Sequence, residues 1–376
     1  MKYSLEVGKI IEGSIKFDYA KVKNFTKQLI ERLKKDGDYL AAEKFERLYD
    51  NSGINVVGIA GSQSASVPID QESKIKLADI FYPSDNNYVT ILNESNYKEV
   101  DLFINSIAKY DTLNKYGLSG GNTLLLFGPP GCGKTNCAFM IAKKLNLPIV
   151  VARLDSLISS YLGTTSKNIR LLFDFVTRTP CVLFLDEFDA IAKARDDKNE
   201  LGELKRVVNT LLQNIDSLSS ENIIIAATNH AGLLDSAVWR RFEYKIELEK
   251  PDQESREKLV TLFLEKALPL TKRQYSQIAI CFDGETGSSI KELIVKSMKR
   301  CVLNDTKISF FELFEDIFQK YVVIDNHKSI TNKEKIKYLC SKNQDCKYFT
   351  YNEIADLLNV SKAYVSIVMK EEENDE

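Results

Sequence analysis

The run Thr123-Leu124-Leu125-Leu126-Phe127, followed directly by Gly128-Pro129-Pro130-Gly131-Cys132-Gly133-Lys134-Thr135-Asn136, decides how this chain is read. A short apolar run closed by glycine predicts a buried strand. The next eight residues fit G-x-x-x-x-G-K-[ST], and Ala138, Ile141, Ala142 and Leu145 share one face of a helix predicted over 136–146. Strand, glycine-rich loop and helix N-terminus in that order make a phosphate cradle. Glycines let backbone N–H groups close around phosphate oxygens, and the helix start adds partial positive charge. Lys134 is then placed to bridge β- and γ-phosphates, and the Thr135 hydroxyl to ligate Mg²⁺. ATP and Mg²⁺ are the cofactors this reading expects, with Gly128 to Asn136 as cofactor-binding residues.

Mg²⁺ needs a further oxygen partner at the end of a neighbouring strand, and Val182-Leu183-Phe184-Leu185-Asp186-Glu187 supplies one. Asp186 would emerge at the strand's carboxyl end, where open α/β sheets bind ligands, and would hold the ion with Thr135. Glu187 beside it would orient and polarise the attacking water.

Outward from these motifs, strand-like runs at 123–127, 148–151, 181–185, 223–227 and 244–248 alternate with helical patterns. That rhythm predicts an α/β domain with a parallel sheet over 105–250. Residues 251–322 form an all-helical subdomain, with helices expected at 252–267, 271–281, 288–303 and 309–320. A helical hairpin broken at Asp36-Gly37-Asp38 is expected within 1–50, and 51–104 reads as linker and connecting segment because GIAGSQSASVP offers few large side chains.

The chain has 376 residues, with 51 Lys and Arg against 53 Asp and Glu and a net charge of −2. That balance argues against a protein that coats nucleic acid or anionic lipid along its whole length. Seven scattered cysteines read as reduced thiols, and with two histidines and no Cys-x-x-Cys pair a zinc site lacks ligands. The N-terminus lacks a secretory apolar stretch and no run is long enough to span a membrane, so a cytoplasmic protein without membrane contact is expected.

Residues 326–370 are expected to hold a helix-turn-helix, and 371–376 a disordered acidic tail. In Tyr351 to Lys370 two helical patterns meet at Asn359, which tolerates a left-handed turn, and Ser361 can cap the second helix. That helix would present Lys362, Tyr364 and Ser366. Lysine and small polar residues at a recognition helix's start suit DNA, while so few basic residues bind it weakly and leave a protein contact equally open.

At this point the chain resembles the AAA+ ATPases over about residues 105–320, within them the subgroup of katanin and spastin. Ile223 to Asn229 (IIIAATN) matches the strand whose terminal Asn senses the γ-phosphate, which implies that role for Asn229. Leu234 to Phe242 matches the segment offering two arginines to a neighbour's ATP, which implies Arg240 and Arg241 as catalytic groups alongside Glu187. Tyr161-Leu162-Gly163 resembles the loop lining the channel of family hexamers, implying that Tyr161 and Leu162 grip a threaded polypeptide. Arg195-Asp196-Asp197 with Gly202 to Arg206 would lie at a subunit boundary. Gly287-Ser288-Ser289-Ile290 stands where the subgroup has Gly-Ser/Ala-Asp in its helical lid, without the acid. The resemblance implies a homo-oligomeric, hexameric ring acting on protein. With the hairpin, Tyr116-Gly117-Leu118, Arg206 to Asn209 and the helix-turn-helix, the whole also looks like bacterial ATPases encoded beside a subtilisin-like serine protease in plasmid-incompatibility and phage-defence pairs. Neither histidine sits in a Ser/His/Asp arrangement, so a protease would be a partner. The other reading is a DNA-associated regulatory or loader ATPase.

Overall fold

The computed structural model describes residues 3–15, 19–51, 68–70, 76–83, 88–118, 121–153, 162–189, 203–218, 222–322, 330–343 and 347–375. Near the N-terminus stand three helices rather than a pair: α1 (Ser4–Ile15), α2 (Tyr19–Lys35) and α3 (Tyr39–Asn51). Val7 and Ile10 of α1 pack against Leu29, Leu33 and Ala42, and the buried Glu6 pairs with Arg32. A periodicity count begun at Asp18 misses α1.

The sheet has six strands in the order β1-β3-β4-β5-β2-β6. The five expected strands are present as β2 (Thr123–Phe127), β3 (Ile149–Ala152), β4 (Val182–Leu185), β5 (Ile223–Thr228) and β6 (Tyr244–Glu247), all five parallel to one another. Every residue of β4 and β5 is buried, as the unbroken apolar runs require.

The sixth strand corrects the expected connector. β1 (Ala78–Phe81) pairs antiparallel with β3, Ala78 opposite Ala152 and Phe81 opposite Ile149, and Asp79 accepts from Arg153. The N-terminal side of the phosphate loop also carries α4 (Glu94–Ala108), capped by Asn93 and burying Val100, Phe103 and Ile104 against the sheet. A boundary at 104/105 therefore cuts through a core helix. The four-residue edge strand is too short to show period-two alternation, and the low-complexity stretch before it lends its character to the whole interval.

Helices cover both faces of the sheet. On one, α4, which the short α5 (Tyr110–Lys115) follows, and α6 (Lys134–Leu145) pack over Leu124, Leu126, Ile225 and Ile246. On the other, α7 (Leu162–Arg178) and α8 (Glu203–Ser217) pack over Leu125, Leu183, Leu185 and Ala226. A 3₁₀ turn (Ala231–Leu233) and α9 (Ser236–Trp239) lead from β5 to β6.

The expected lid helices are α10 (Gln253–Leu264), α11 (Lys272–Cys281), α12 (Gly287–Leu303) and α13 (Phe310–Tyr321). After them come α14 (Asn332–Ser341), α15 (Tyr351–Leu358) and α16 (Lys362–Asp375). Thr271 with Gln274, Ser309 with Glu312, Thr331 with Glu334 and Thr350 with Glu353 form capping boxes that fix four of these helix starts. Asn359, at φ 51°, makes the left-handed turn between α15 and α16. The lid and the C-terminal helices are not separate bodies: Phe314 and Phe318 of α13 share one core with Ile336, Leu339, Phe349, Ile354, Leu358 and Val365. The acidic end is likewise no tail, because α16 continues through it to Asp375 and Glu371 pairs with Lys333.

Among the described residues no helix is long and apolar enough to cross a membrane, and six cysteines are in no disulfide, four of them buried. Cys346 lies outside the described residues.

Candidate nucleotide-binding site

The phosphate loop turns back between strand and helix through left-handed glycines. Gly128 has φ 134°, and a Cβ there would lie 2.3 Å from the Leu248 carbonyl oxygen. Gly131 has φ 79°, and its Cβ would meet Thr286 Oγ1 at 2.9 Å. No side chain caps the start of α6, so its first N–H groups stay open to a ligand. The loop is clasped by Lys134, whose Nζ donates to Gly128 O at 2.7 Å and Pro129 O at 2.8 Å. Burial draws the Lys134 ammonium below its ordinary pKa, opposed by Cys132, Asp186 and Asp189.

β5 separates β2 from β4, yet the ends of both outer strands meet across it. Thr135 Oγ1 donates to Asp186 Oδ2 at 2.9 Å, as the sequence pairs them. Asp186 Oδ1 accepts the Glu187 N–H at 2.9 Å, and Glu187 itself takes a left-handed φ of 51° with its side chain exposed. A non-glycine residue in that region carries strain of order 1 kcal/mol, and such residues cluster at functional sites.

Asp189 is the residue the sequence reading passed over. Its Oδ1 accepts from Thr228 Oγ1 at 3.1 Å and from the Asn229 N–H at 3.4 Å, fixing the end of β5 beside β4. Burial pushes the Asp189 carboxyl up, but the Thr228 and Asn229 donors outweigh it and hold it below the usual carboxylate range. An acid next to Phe188, just beyond the Asp186-Glu187 pair, is the signal that could have found it.

A cleft of about 610 Å³ opens here. Pro130 to Asn136, Asp186, Glu187 and Asn229 line one part, joined by Tyr88 to Asn93, by Leu248 to Pro251, and by Leu259, Phe263, Gly287, Ser288 and Lys291 of the helical unit. The Tyr88 to Asn93 wall falls inside the expected connector and was missed. Its Val89, Ile91 and Leu92, together with Leu259, Leu262 and Phe263, give the cleft an apolar part to its lining. The loosely matching lid motif does reach the loop, since the Ser288 N–H and Oγ donate to Gly131 O at 3.2 and 3.4 Å. A second groove of about 690 Å³, between α10, α11 and Lys347-Tyr348, contains none of the phosphate-loop residues.

The two arginines differ. Arg240 is exposed, whereas Arg241 Nε donates to both Asp216 carboxylate oxygens at 2.9 and 3.0 Å and its Nη1 to Ala237 O at 2.7 Å. Tyr161, the Arg195 to Asp197 segment and Gly202 lie outside the described residues, and Leu162 opens α7 with its side chain likewise outside them. Lys362 and Tyr364 are exposed on the first turn of α16, Ser366 is partly buried, and none of the three lines the cleft.

Residues 124–250 match the model of the ATPase family associated with various cellular activities (AAA). This segment is an AAA-family ATPase domain. The chain is 39% identical over 210 residues to an uncharacterized AAA family ATPase of Sinorhizobium fredii, covering 56% of this chain and 60% of that one. It is 34% identical over 194 residues to a Methanocaldococcus jannaschii protein named as a homolog of a 26S proteasome regulatory subunit, covering 50% and 52%. To proteasome-activating nucleotidase 1 of Haloferax volcanii it is 32% identical over 211 residues, covering 54% and 52%. The chain thus spans between about half and three-fifths of the length of these relatives.

Proposed function

We propose that the whole chain is a cytoplasmic ATP hydrolase, assembled as a ring of identical subunits, that remodels or threads a protein substrate. Hydrolysis is carried by one observation: the Thr135–Asp186 contact of 2.9 Å, beside the buried Lys134 and facing Glu187 and Asn229 in one cleft. Lys134 would exchange its two carbonyl partners for phosphate oxygens, and the open N–H groups of α6 would receive the same anion. Thr135 and Asp186 are hard oxygen donors brought together at the cleft, a fit for Mg²⁺, which when bound offsets phosphate charge. Glu187 accepts a proton from, and so orients, the water that attacks the terminal phosphorus, while Asn229, set by Asp189, holds its position. Arg240, supplied to a neighbouring subunit, would stabilise charge on the transferred group, which makes turnover depend on assembly.

The protein substrate is supported by the proteasome-related names of two relatives and by the resemblance at Tyr161. Any proteolysis would fall to a partner, for which the subtilisin-like serine protease of the resembling phage-defence pairs is the candidate. A second reading has one observation in its favour: α15 and α16 cross at the left-handed Asn359 with Lys362 and Tyr364 exposed, a geometry that also suits DNA. Tyr161→Ala separates the two. Under threading it leaves basal ATP hydrolysis within a few-fold of wild type and abolishes substrate-dependent work; full biological activity in that variant, with loss of DNA-stimulated turnover in Lys362→Ala/Tyr364→Ala, favours the DNA reading instead.

A further inference from the structure

The connector between sheet and helical unit is pinned at both ends. On the sheet side the Leu248 N–H donates to Phe127 O at 2.7 Å, and the Leu248 carbonyl fills the place a Cβ on Gly128 would need. On the helical side Pro251 O accepts from Arg256 Nη1 at 2.9 Å. The Arg256 residue is 5% exposed. Its guanidinium also donates to Ala279 O at 3.1 Å and Gln253 Oε1 at 2.8 Å, and meets Asp283 at 3.0 Å. Pro251 therefore moves with α10 and α11. Only Glu249 and Lys250 remain between the pins, both exposed and both lining the nucleotide cleft.

Lys250 makes no hydrogen bond or ion pair among the described residues. Its charge nevertheless bears on the phosphate loop: burial raises the Cys132 thiol pKa, and the cations of Lys134 and Lys250 work against that rise. The cleft already holds three carboxylates, Asp186, Glu187 and Glu249, so a polyanion entering it meets repulsion that the lining ammoniums, Lys134, Lys250 and Lys291, must offset. Of the two further lysines, Lys291 sits on α12, whereas Lys250 sits on the hinge and its charge reaches Cys132 of the loop, so its ammonium, on a flexible stem, is suited to supply positive charge beside Lys134.

We propose that Lys250 is a phosphate ligand carried on the hinge, which closes on the polyphosphate of a bound nucleoside triphosphate and so ties the angle of the helical unit to the length of the phosphate chain. The inference rests on the nucleotide reading given above. With two residues free between the pins, any shift of Lys250 toward phosphate is passed to Pro251, and through Arg256 to the ends of α10 and α11. Because the coupling is a difference in affinity between lid positions, whatever holds the lid open weakens triphosphate binding by the same factor.

The test measures binding of fluorescent ATP, ADP and adenosine to the full chain with Mg²⁺, in wild type, Lys250→Gln and Lys250→Arg. It adds hydrogen exchange of the 248–256 backbone with each ligand. A charge-assisted hydrogen bond lost from Lys250→Gln is expected to weaken ATP binding about tenfold or more, ADP less and adenosine not at all, while Lys250→Arg stays within about threefold of wild type. ATP should also protect 248–256 more than ADP does in wild type, and that extra protection should vanish in Lys250→Gln. Less than a threefold loss for ATP, or the same loss for adenosine, overturns the role of Lys250 while leaving the nucleotide site intact. No ATP binding by wild type overturns the site itself. Lys250 is exposed, so unliganded melting temperatures should coincide and rule out misfolding as the cause.

Discussion

Arg241 is held inside its own subunit by Asp216. Its guanidinium forms a two-point contact with the carboxylate, Nε at 2.9 and 3.0 Å and Nη2 at 2.9 Å, and spends a further N–H on Ala237 O. The neighbouring Arg240 is exposed, with no side-chain partner among the described residues. Two adjacent arginines that look equivalent in sequence are thus divided, one bracing α8 against the β5–β6 connection and the other open to solvent.

The division predicts different failures. Arg240→Ala should keep ATP affinity and fold while lowering kcat by about 10³, the scale of an arginine supplied in trans. Mixing it with Glu187→Gln subunits should restore part of the activity. Arg241→Ala should instead cost about 1 kcal/mol of stability, modest because the pair is half open to solvent. Thermal melts beside steady-state kinetics decide it: a fully active Arg240→Ala ring, or a monomer active without assembly, sinks the assignment.

Lys134→Ala and Glu187→Gln should separate binding from turnover. Lys134 is the buried cation of the loop, so its loss should abolish measurable ATP binding. Glu187 is exposed and touches Asp186 only through its backbone, so Glu187→Gln should bind ATP as wild type does and turn over at under about one-hundredth of the rate, in keeping with the size of general-base effects. Equal, tight ATP binding by wild type and Lys134→Ala would show that the cleft is not the nucleotide site.

What the sequence made legible follows from how local each signal is. The glycine-rich loop, the two strand-ending acids and the five parallel strands were readable because each is a short, contiguous pattern whose physics is local. The Tyr88 to Asn93 wall was not, since it joins the cleft through contacts distant in sequence: Tyr88 on Phe139 of α6, and α4 on the sheet through Val100, Phe103 and Ile104. The same holds for Asp189, whose partners Thr228 and Asn229 lie on a different strand, and for the difference between Arg240 and Arg241, which depends on Asp216 from another helix. The C-terminal helices were found but misassigned to a separate body, because periodicity shows that a face is apolar without showing what covers it.

Glu353 gives the helical half a pH signature. Its carboxyl is lowered from an ordinary 4.5 to about 2, chiefly by the Arg273 hydrogen bond, with burial working against this and the Thr350 donors reinforcing it. A depressed folded pKa means the contribution is fully present above about pH 4.5, fades as pH falls and is gone below about pH 2. The Glu353 side chain is one-third exposed, so solvent screening cuts its worth to about 1 kcal/mol. Glu353→Gln should therefore be less stable than wild type at pH 7, and the two denaturation curves should converge between pH 4.5 and 2. A gap that stays constant down to pH 2.5 would assign the effect to packing rather than charge.

Removing residues 326–376 should damage the nucleotide site, not merely delete an appendage. Phe314 and Phe318 are buried against Ile336, Leu339, Phe349 and Ile354, and Tyr338 donates to Cys281 O at the end of α11. Baring two phenylalanines forfeits about 1.5–3 kcal/mol each, comparable to a large share of a domain's net stability. α13, which loses that cover, holds α12 through the Lys320 ammonium on Ser289 Oγ, and Ser288 beside it contacts Gly131 in the phosphate loop. The truncated chain should accordingly lose helical content on heating well before the intact protein and bind ATP more weakly, even though no deleted residue lines the cleft. Lys362→Ala/Tyr364→Ala, altering only the exposed turn of α16, should leave both melting and ATP binding unchanged. Wild-type ATP affinity and melting in the truncated protein would mean that the C-terminal helices stand apart from the lid after all, contrary to the shared core.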